Sequence, residues 1–356
     1  MVKKLMKGNE AIGEAAIHAG CEAYFAYPIT PQTEVAEYLA RRMPELGRVF
    51  LQAESELAAI NMIYGAASAG ARVFTSTSSP GLSLMTEAIS YIAGSHVPTV
   101  LINIVRGGPG LGGILPAQSD YFQATKATGH GDFRCLVLAP SSVQEAVDHV
   151  LMAFDLADKY RAPILIIGDG MIGQMMEPVE FPDKSVEPKD LPRKMWSADG
   201  LGGREKNIIT SLFLDPLKLE QVSIDLKAKY DRMKAEEIRY ELLYAEQGYK
   251  LLVVAYGTMS RICMTAIEEL KVEKGINVGL LRPITLFPFP EIQIFDAAQK
   301  AKSVLTIEMS MGQMLEDVKS AVVGSKPVEF FGRTGGIVPS PDDVKKQILL
   351  NIDKYK

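Results

Sequence analysis

Through about residue 170 the chain alternates short, continuously apolar runs with stretches whose apolar residues recur at helical spacing. The runs "AYFAY" (23–27), "RVFTS" (72–76), "TVLINIV" (99–105), "CLVLA" (135–139) and "PILIIGDG" (163–170) read as strands. Their lack of polar alternation is the mark of parallel strands covered on both faces. Between them, "SELAAINMIYGAASAG" (55–70) and "SSVQEAVDHVLMAFDLADKY" (141–160) read as helices, the second opening on serines able to cap its first amides. Another helix is predicted after Pro31, with Val35, Ala36 and Leu39 on one face. Strand–helix alternation at this spacing predicts a doubly wound α/β domain over residues 1–176.

From about 177 to 247 the rhythm breaks. The Pro- and charge-rich "EPVEFPDKSVEPKDLPRK" reads as a surface linker, and the charged amphipathic run from 217 to 247 as one or two exposed helices. Alternation then resumes with "LLVVAYG" (251–257), "INVGLL" (276–281), "SVLTIE" (303–308) and "PVEFFG" (327–332), predicting a smaller α/β domain over 248–356 that ends in a helix.

Composition narrows the function classes. At 356 residues, with 47% hydrophobic content and a mean hydropathy of +0.07, the chain has material for two globular cores. A net charge of −5 argues against a nucleic-acid surface. No apolar run approaches the roughly 18 residues a membrane span needs. The lysines of "MVKKLMKGNEAIGEAA" have no apolar segment behind them, so no signal peptide is expected and a soluble, cytoplasmic protein is. Cys21, Cys135 and Cys263 lie far apart without a C-x-x-C pair, and the four histidines are scattered. Reduced, buried thiols are expected, with neither a metal nor an iron–sulfur cluster ligated by this chain.

Ligands of an open α/β sheet gather beyond the carboxyl ends of its strands. There the sequence places "YPITP", "TSTSSPG" (75–81), "RGGPGLGG" (106–113) and "GDG" (168–170). Arg106 ends a buried strand and five glycines follow in the next seven residues, so backbone can approach or fold over a ligand while the guanidinium grips a carboxylate. A flexible surface loop with a solvated arginine is the alternative. Glu56 opens a helix whose apolar stripe, Ile60, Ile63 and Ala67, leads back to it, which favours partial burial. From periodicity alone the simpler reading is an acidic first-turn residue favoured by the helix dipole, with Ser55 as cap. Glu54, before the cap, reads as solvated. Pro28 and Pro31 restrict the residues before them and fix the hydroxyl of Thr30 at a strand-end turn, with Pro31 suited to the first turn of the next helix. The glycine loop lacks GxxxxGK[ST], and no GxGxxG follows the first strand, which speaks against a stand-alone nucleotide dehydrogenase.

Together "YPITPQT", "QAESELAAINMIYGAASAG", "TSTSSPGLSLMTEAISYIAG", "VRGGPGLGG", "LAPSSVQEA" and "LRPITLFPFP" resemble the 2-oxoacid:ferredoxin oxidoreductases. The match is to the subunit with a pyrimidine-binding thiamin diphosphate domain followed by a transketolase-C-like domain. "VRGGPGLGG" and "GRTGG" (332–336) look most like the 2-oxoisovalerate, or branched-chain, branch. The resemblance implies that Glu56 hydrogen-bonds N1′ of the thiamin pyrimidine and promotes proton loss from the thiazolium. It also implies that Arg106 binds the 2-oxoacid carboxylate, that Thr30 contacts substrate, and that Pro28 and Ile29 border the cofactor. The implied reaction is CoA-dependent oxidative decarboxylation to an acyl-CoA and CO2, with electrons passing to ferredoxin. "GDG" begins the Mg-pyrophosphate motif of thiamin enzymes, but no Asn-Asn follows in "WSADGLGGREKN", so 168–170 reads as a strand-end turn. Mg2+ and the pyrophosphate are then expected on a partner subunit, and [4Fe-4S] clusters on a ferredoxin-like one, beside a gamma-type subunit. A 2-oxoglutarate enzyme and a non-catalytic scaffold subunit are the alternatives.

Overall fold

The computed structural model describes residues 3–246 and 248–356. The five predicted strands of the first domain form a seven-stranded sheet together with two others. Its order is Thr285–Phe287, Leu136–Leu138, Pro163–Asp169, Thr99–Val105, Val73–Thr77, Ala23–Ala26, Val49–Gln52. Neighbours are parallel except Thr285–Phe287, which runs antiparallel to Leu136–Leu138. Thr99–Val105 and Pro163–Asp169 are buried along their whole length. Helices Glu56–Ser68 and Pro80–Gly94 pack on one face, and Gly8–His18, Thr33–Glu45 and Val143–Tyr160 on the other. Ser142 caps the last of these by accepting from the Glu145 amide at 3.1 Å.

This sheet reverses its winding between Ala23–Ala26 and Val73–Thr77. One strand leads through Thr33–Glu45 to the edge strand Val49–Gln52, while the other leads through Pro80–Gly94 in the opposite direction to Thr99–Val105. Loops leaving the two carboxyl ends therefore diverge, and a crevice opens between them.

A second sheet has five strands, in the order Val328–Gly332, Ser303–Glu308, Leu251–Val254, Gly279–Pro283, Tyr240–Leu243. All pair in parallel except the last. Helices Gly257–Lys274 and Pro341–Lys354 cover one face, the latter opened by a Ser340–Asp343 capping box. Glu291–Gln299 and Gln313–Val322 cover the other and share one continuous apolar core with the first sheet. Gln118 ties the sheets together: its amide nitrogen donates to the Tyr256 carbonyl (2.9 Å) and its side-chain oxygen accepts from the Met309 amide (2.9 Å). Arg282 of "LRPITLFPFP" grips Glu145 of "LAPSSVQEA" through two bonds of 2.7 and 2.6 Å.

Strands that the apolar pattern does not predict are edges or belong to small ribbons. Val49–Gln52 is mostly exposed, Tyr240–Leu243 borders the second sheet, and Met176–Val179 pairs only with Lys4–Lys7. Thr285–Phe287 is flanked by prolines, which a sequence reading assigns to turns. In the 177–247 stretch one helix, Pro216–Glu236, lays Leu226, Tyr230 and Met233 on the first core. The end of that stretch, Tyr240–Leu243, already belongs to the second sheet. Among the described residues no helix is long and apolar enough to cross a membrane.

Candidate active site at the winding reversal

Thr30, Glu56 and Arg106 each follow the carboxyl end of a strand of the first sheet, so all three lie along one edge of it. In the "YPITP" turn Pro28 and Ile29 are half-buried and Thr30 is exposed. Helix Thr33–Glu45 begins beyond Pro31, which sits in the preceding turn rather than in the helix, as its fixed φ had suggested. Gln32 takes the cap position and turns its side chain inward. Its carbonyl oxygen accepts from Ser76 Oγ at 2.6 Å, and Ser76 Oγ meets the Tyr24 hydroxyl at 2.7 Å. The turn is thereby anchored across the reversal to strand Val73–Thr77.

Arg106 completes the contact. Its Nη1 donates to the Thr30 carbonyl at 2.9 Å and its Nη2 to the Leu111 carbonyl at 3.2 Å, while Nε is buried without a partner. Both acceptors are neutral. Among the described residues no carboxylate lies within 4.0 Å of the guanidinium, which leaves its charge to attract an anion.

Its backbone amide donates to Ser79 Oγ at 3.1 Å. Ser79 has φ 25°, a strained conformation for a residue with a side chain, just before helix Pro80–Gly94. The surrounding bonds hold it there: the Ser79 amide donates to Asn103 Oδ1 (2.8 Å), and Asn103 Nδ2 donates to Asp120 Oδ2 (2.9 Å). Burial raises the pKa of Asp120, against the pull of Ser79, Asn103 and the nearby Arg106 charge.

Glu56 reaches the same 77–81 loop from the other side. It is 5% exposed at the start of its helix, where Ser55 Oγ accepts from the Ala58 amide at 3.1 Å. Ile60, Ile63 and Ala67 are buried behind it and Glu54 is exposed, as the sequence pattern predicts. The carboxyl lies against Gly81: a Cβ on that glycine would fall 2.6 Å from Glu56 Oε1 and 2.1 Å from Thr77 Oγ1. The Thr77 and Ser78 hydroxyls are buried without partners. A buried carboxyl and the unpartnered Thr77 hydroxyl thus meet at a glycine, leaving a polar group of atoms at the carboxyl end of the sheet.

The glycine loop folds back as a hairpin. The Gly107 amide donates to the Leu115 carbonyl (3.0 Å) and the Gly113 amide to the Gly107 carbonyl (2.8 Å). At Gly112, with φ +58°, a Cβ would collide with the Gly107 carbonyl at 1.8 Å, so the hairpin closes only with glycine there. "GRTGG" buttresses it, because a Cβ on Gly336 would lie 2.4 Å from Leu115 Cβ. "GDG" is a strand-end turn: Asp169 Oδ1 accepts from the Met171 (2.9 Å) and Ile172 (3.3 Å) amides. Ser79, Gly81, Asn103 and Asp120 escaped the sequence reading. Only the serine-rich approach to Pro80 in "TSTSSPG" marked their neighbourhood.

Residues 14–228 match the family described as pyruvate flavodoxin/ferredoxin oxidoreductase, thiamine diphosphate-binding, and residues 250–344 match pyruvate:ferredoxin oxidoreductase core domain II. The chain is 47% identical over 98% of its length to the ketoisovalerate oxidoreductase subunit VorB of Methanothermobacter thermautotrophicus, covering 97% of that protein. It is 34% identical to the 2-oxoglutarate synthase subunit KorA of the same organism, over 97% of each chain. A 2-oxoglutarate:ferredoxin oxidoreductase from Magnetococcus marinus, solved with 2-oxoglutarate, coenzyme A and succinyl-CoA bound, superposes with a TM-score of 0.87 at 27% identity. That match covers 98% of this chain but only 65% of the Magnetococcus chain. A split-gene transketolase shares the fold alone, with a TM-score of 0.61 at 14% identity over 99% of both chains. The chain belongs to the 2-oxoacid:ferredoxin oxidoreductases, as a subunit that carries the family's thiamin diphosphate-binding domain.

Proposed function

We propose that this chain is the catalytic subunit of a branched-chain 2-oxoacid:ferredoxin oxidoreductase, with 2-oxoisovalerate as its best substrate. The reaction joins the 2-oxoacid and CoA into an acyl-CoA, releases CO2 and passes a pair of electrons to ferredoxin. The carrying observation is the convergence of Thr30, Arg106 and Glu56 around the 77–81 loop at the winding reversal. The 47% identity to a ketoisovalerate oxidoreductase subunit supports the branched-chain assignment.

Thiamin diphosphate, when bound, supplies the electron sink that decarboxylation of a 2-oxoacid requires. The residues of this chain do the rest of the positioning. Glu56 sets its carboxyl against the pyrimidine N1′ from a buried position, as a proton-transfer partner. Arg106 binds the substrate carboxylate with the guanidinium edge that neutral carbonyls leave uncompensated. The Thr30 hydroxyl hydrogen-bonds substrate beside it, and Pro28 and Ile29 shape the turn toward the cofactor. The pyrophosphate with its Mg2+ belongs to a second subunit, and the [4Fe-4S] clusters to a ferredoxin-like subunit that accompanies a gamma-type one. Cys21, Cys135 and Cys263 are all buried as free thiols, which suits a reducing cytoplasm. In this reading 1–176 is the pyrimidine domain and 248–356 the transketolase-C-like domain, with 177–247 the linker apart from Tyr240–Leu243, which joins the second sheet, while Thr285–Phe287 crosses back to the first.

The complex purified with its partners is expected to reduce ferredoxin or a viologen dye with 2-oxoisovalerate and CoA, with kcat/KM highest for branched substrates among branched, aromatic and dicarboxylic 2-oxoacids. No turnover of any 2-oxoacid by the cofactor-loaded complex would overturn the assignment. A higher kcat/KM for 2-oxoglutarate would replace the substrate and keep the family.

A further inference from the structure

The hairpin that follows Arg106 exposes large apolar side chains beside an uncompensated cation. Leu111 is 86% exposed, Ile114 59% and Leu115 55%, and Ile337, next to the buttressing Gly336, is 50% exposed. Exposed leucine and isoleucine this close in sequence on an ordered loop mark a surface that meets an apolar group. The loop is ordered by bonds rather than by burial: Arg106 bridges Pro116, the Gly107 and Gly113 amides are paired within the hairpin, and "GRTGG" supports it from the second sheet. The Leu111 carbonyl rests on the Arg106 guanidinium at 3.2 Å, which fixes this residue one contact from the carboxylate grip. From 107 to 118 the sequence "GGPGLGGILPAQ" holds no charged residue.

We infer that Leu111, with Ile114, is the specificity-determining wall of the substrate site, seating the branched hydrocarbon of a 2-oxoacid whose carboxylate is held by Arg106. This rests on the carboxylate-binding reading of Arg106. A cation beside a rigid apolar wall matches the two ends of a short branched oxoacid. It disfavours a dicarboxylate, for whose far end residues 107–118 offer no cation. Because Leu111 is exposed, its replacement leaves no cavity in the fold.

The test compares Leu111→Ala, Leu111→Arg and Arg106→Gln in the complete complex, with assembly followed by size exclusion. Two readouts are used: kcat/KM for 2-oxoisovalerate, pyruvate and 2-oxoglutarate, and calorimetric binding of the unreactive analogue 3-methylbutanoate. Leu111→Ala is expected to assemble, to lower the ratio of kcat/KM for 2-oxoisovalerate over pyruvate about tenfold, and to weaken 3-methylbutanoate binding by a similar factor. Leu111→Arg is expected to raise the ratio for 2-oxoglutarate over 2-oxoisovalerate at least tenfold. An equal fall for all three substrates, unchanged analogue binding, or loss of assembly with Leu111→Ala overturns the inference, the last making the loop a subunit contact. Arg106→Gln separates the two levels. Full activity in that variant removes the underlying reading, whereas loss on every 2-oxoacid together with an unaltered substrate ratio in Leu111→Ala removes only the inference.

Discussion

Thr30 offers two groups with separable roles. Its carbonyl accepts from Arg106, and the hydroxyl of this exposed residue is the group proposed to meet substrate. Thr30→Val keeps the carbonyl and the shape of the turn. It is expected to lower kcat/KM about tenfold, the worth of one hydrogen bond to a charged or polar ligand, while the melting temperature stays put. Unchanged kinetics would reduce the residue to part of a turn. Gly81 carries a different constraint, since a methyl group there enters the space of Thr77 Oγ1 and Glu56 Oε1. Gly81→Ala is therefore expected to cost about 1–3 kcal/mol of stability in denaturant unfolding and to depress turnover by displacing the Glu56 carboxyl. At this scale sequence pattern reached part of the way: the stripe Ile60–Ile63–Ala67 allowed a partly buried Glu56 but favoured a first-turn acid set by the helix dipole, and the glycines after Arg106 left a ligand-covering loop and a flexible surface loop both open. Asn103 and Asp120 stayed invisible because nothing in "NIVRG" or "QSDYF" records that two distant polar side chains meet under Ser79.

Elements were legible where burial on both faces made them continuously apolar, as at Thr99–Val105 and Pro163–Asp169. Edges were not, because Val49–Gln52 needs no apolar pattern on its open side. Nor did periodicity show that strand Gly279–Pro283 leads, within "LRPITLFPFP", to a strand of the other sheet. The ion pair at that crossing yields a pH dependence. Burial alone would raise the pKa of Glu145, but the hydrogen bonds and charge of Arg282, with bonds from Ser141, outweigh it and hold the carboxyl at about 2, below its usual 4.5. A depressed carboxyl contributes stability that is present above its unfolded value and is lost as pH falls through the folded one. The urea midpoint of wild type relative to Glu145→Gln is thus expected to fall between about pH 4.5 and 2 and to be flat above 5. A difference that is pH-independent throughout that window would contradict the pairing.

On the scale of the whole molecule, the winding reversal collects three loops that are far apart in sequence, and the second sheet braces them through Gln118 and Gly336. Glu56, Arg106 and Thr30 come from this chain, while the pyrophosphate and the electron carriers are proposed to lie on others. The proposal stands or falls on whether the Glu56 carboxyl acts chemically in the assembled enzyme. The direct measurement is kcat for 2-oxoisovalerate- and CoA-dependent viologen reduction by the complete complex with Glu56→Gln, which keeps the side chain's size and removes its acidity, alongside size exclusion of the same sample. Intact assembly is expected, with kcat lowered by about 10²-fold or more, the scale of a lost proton-transfer group. Wild-type kcat in an assembled Glu56→Gln complex would contradict it.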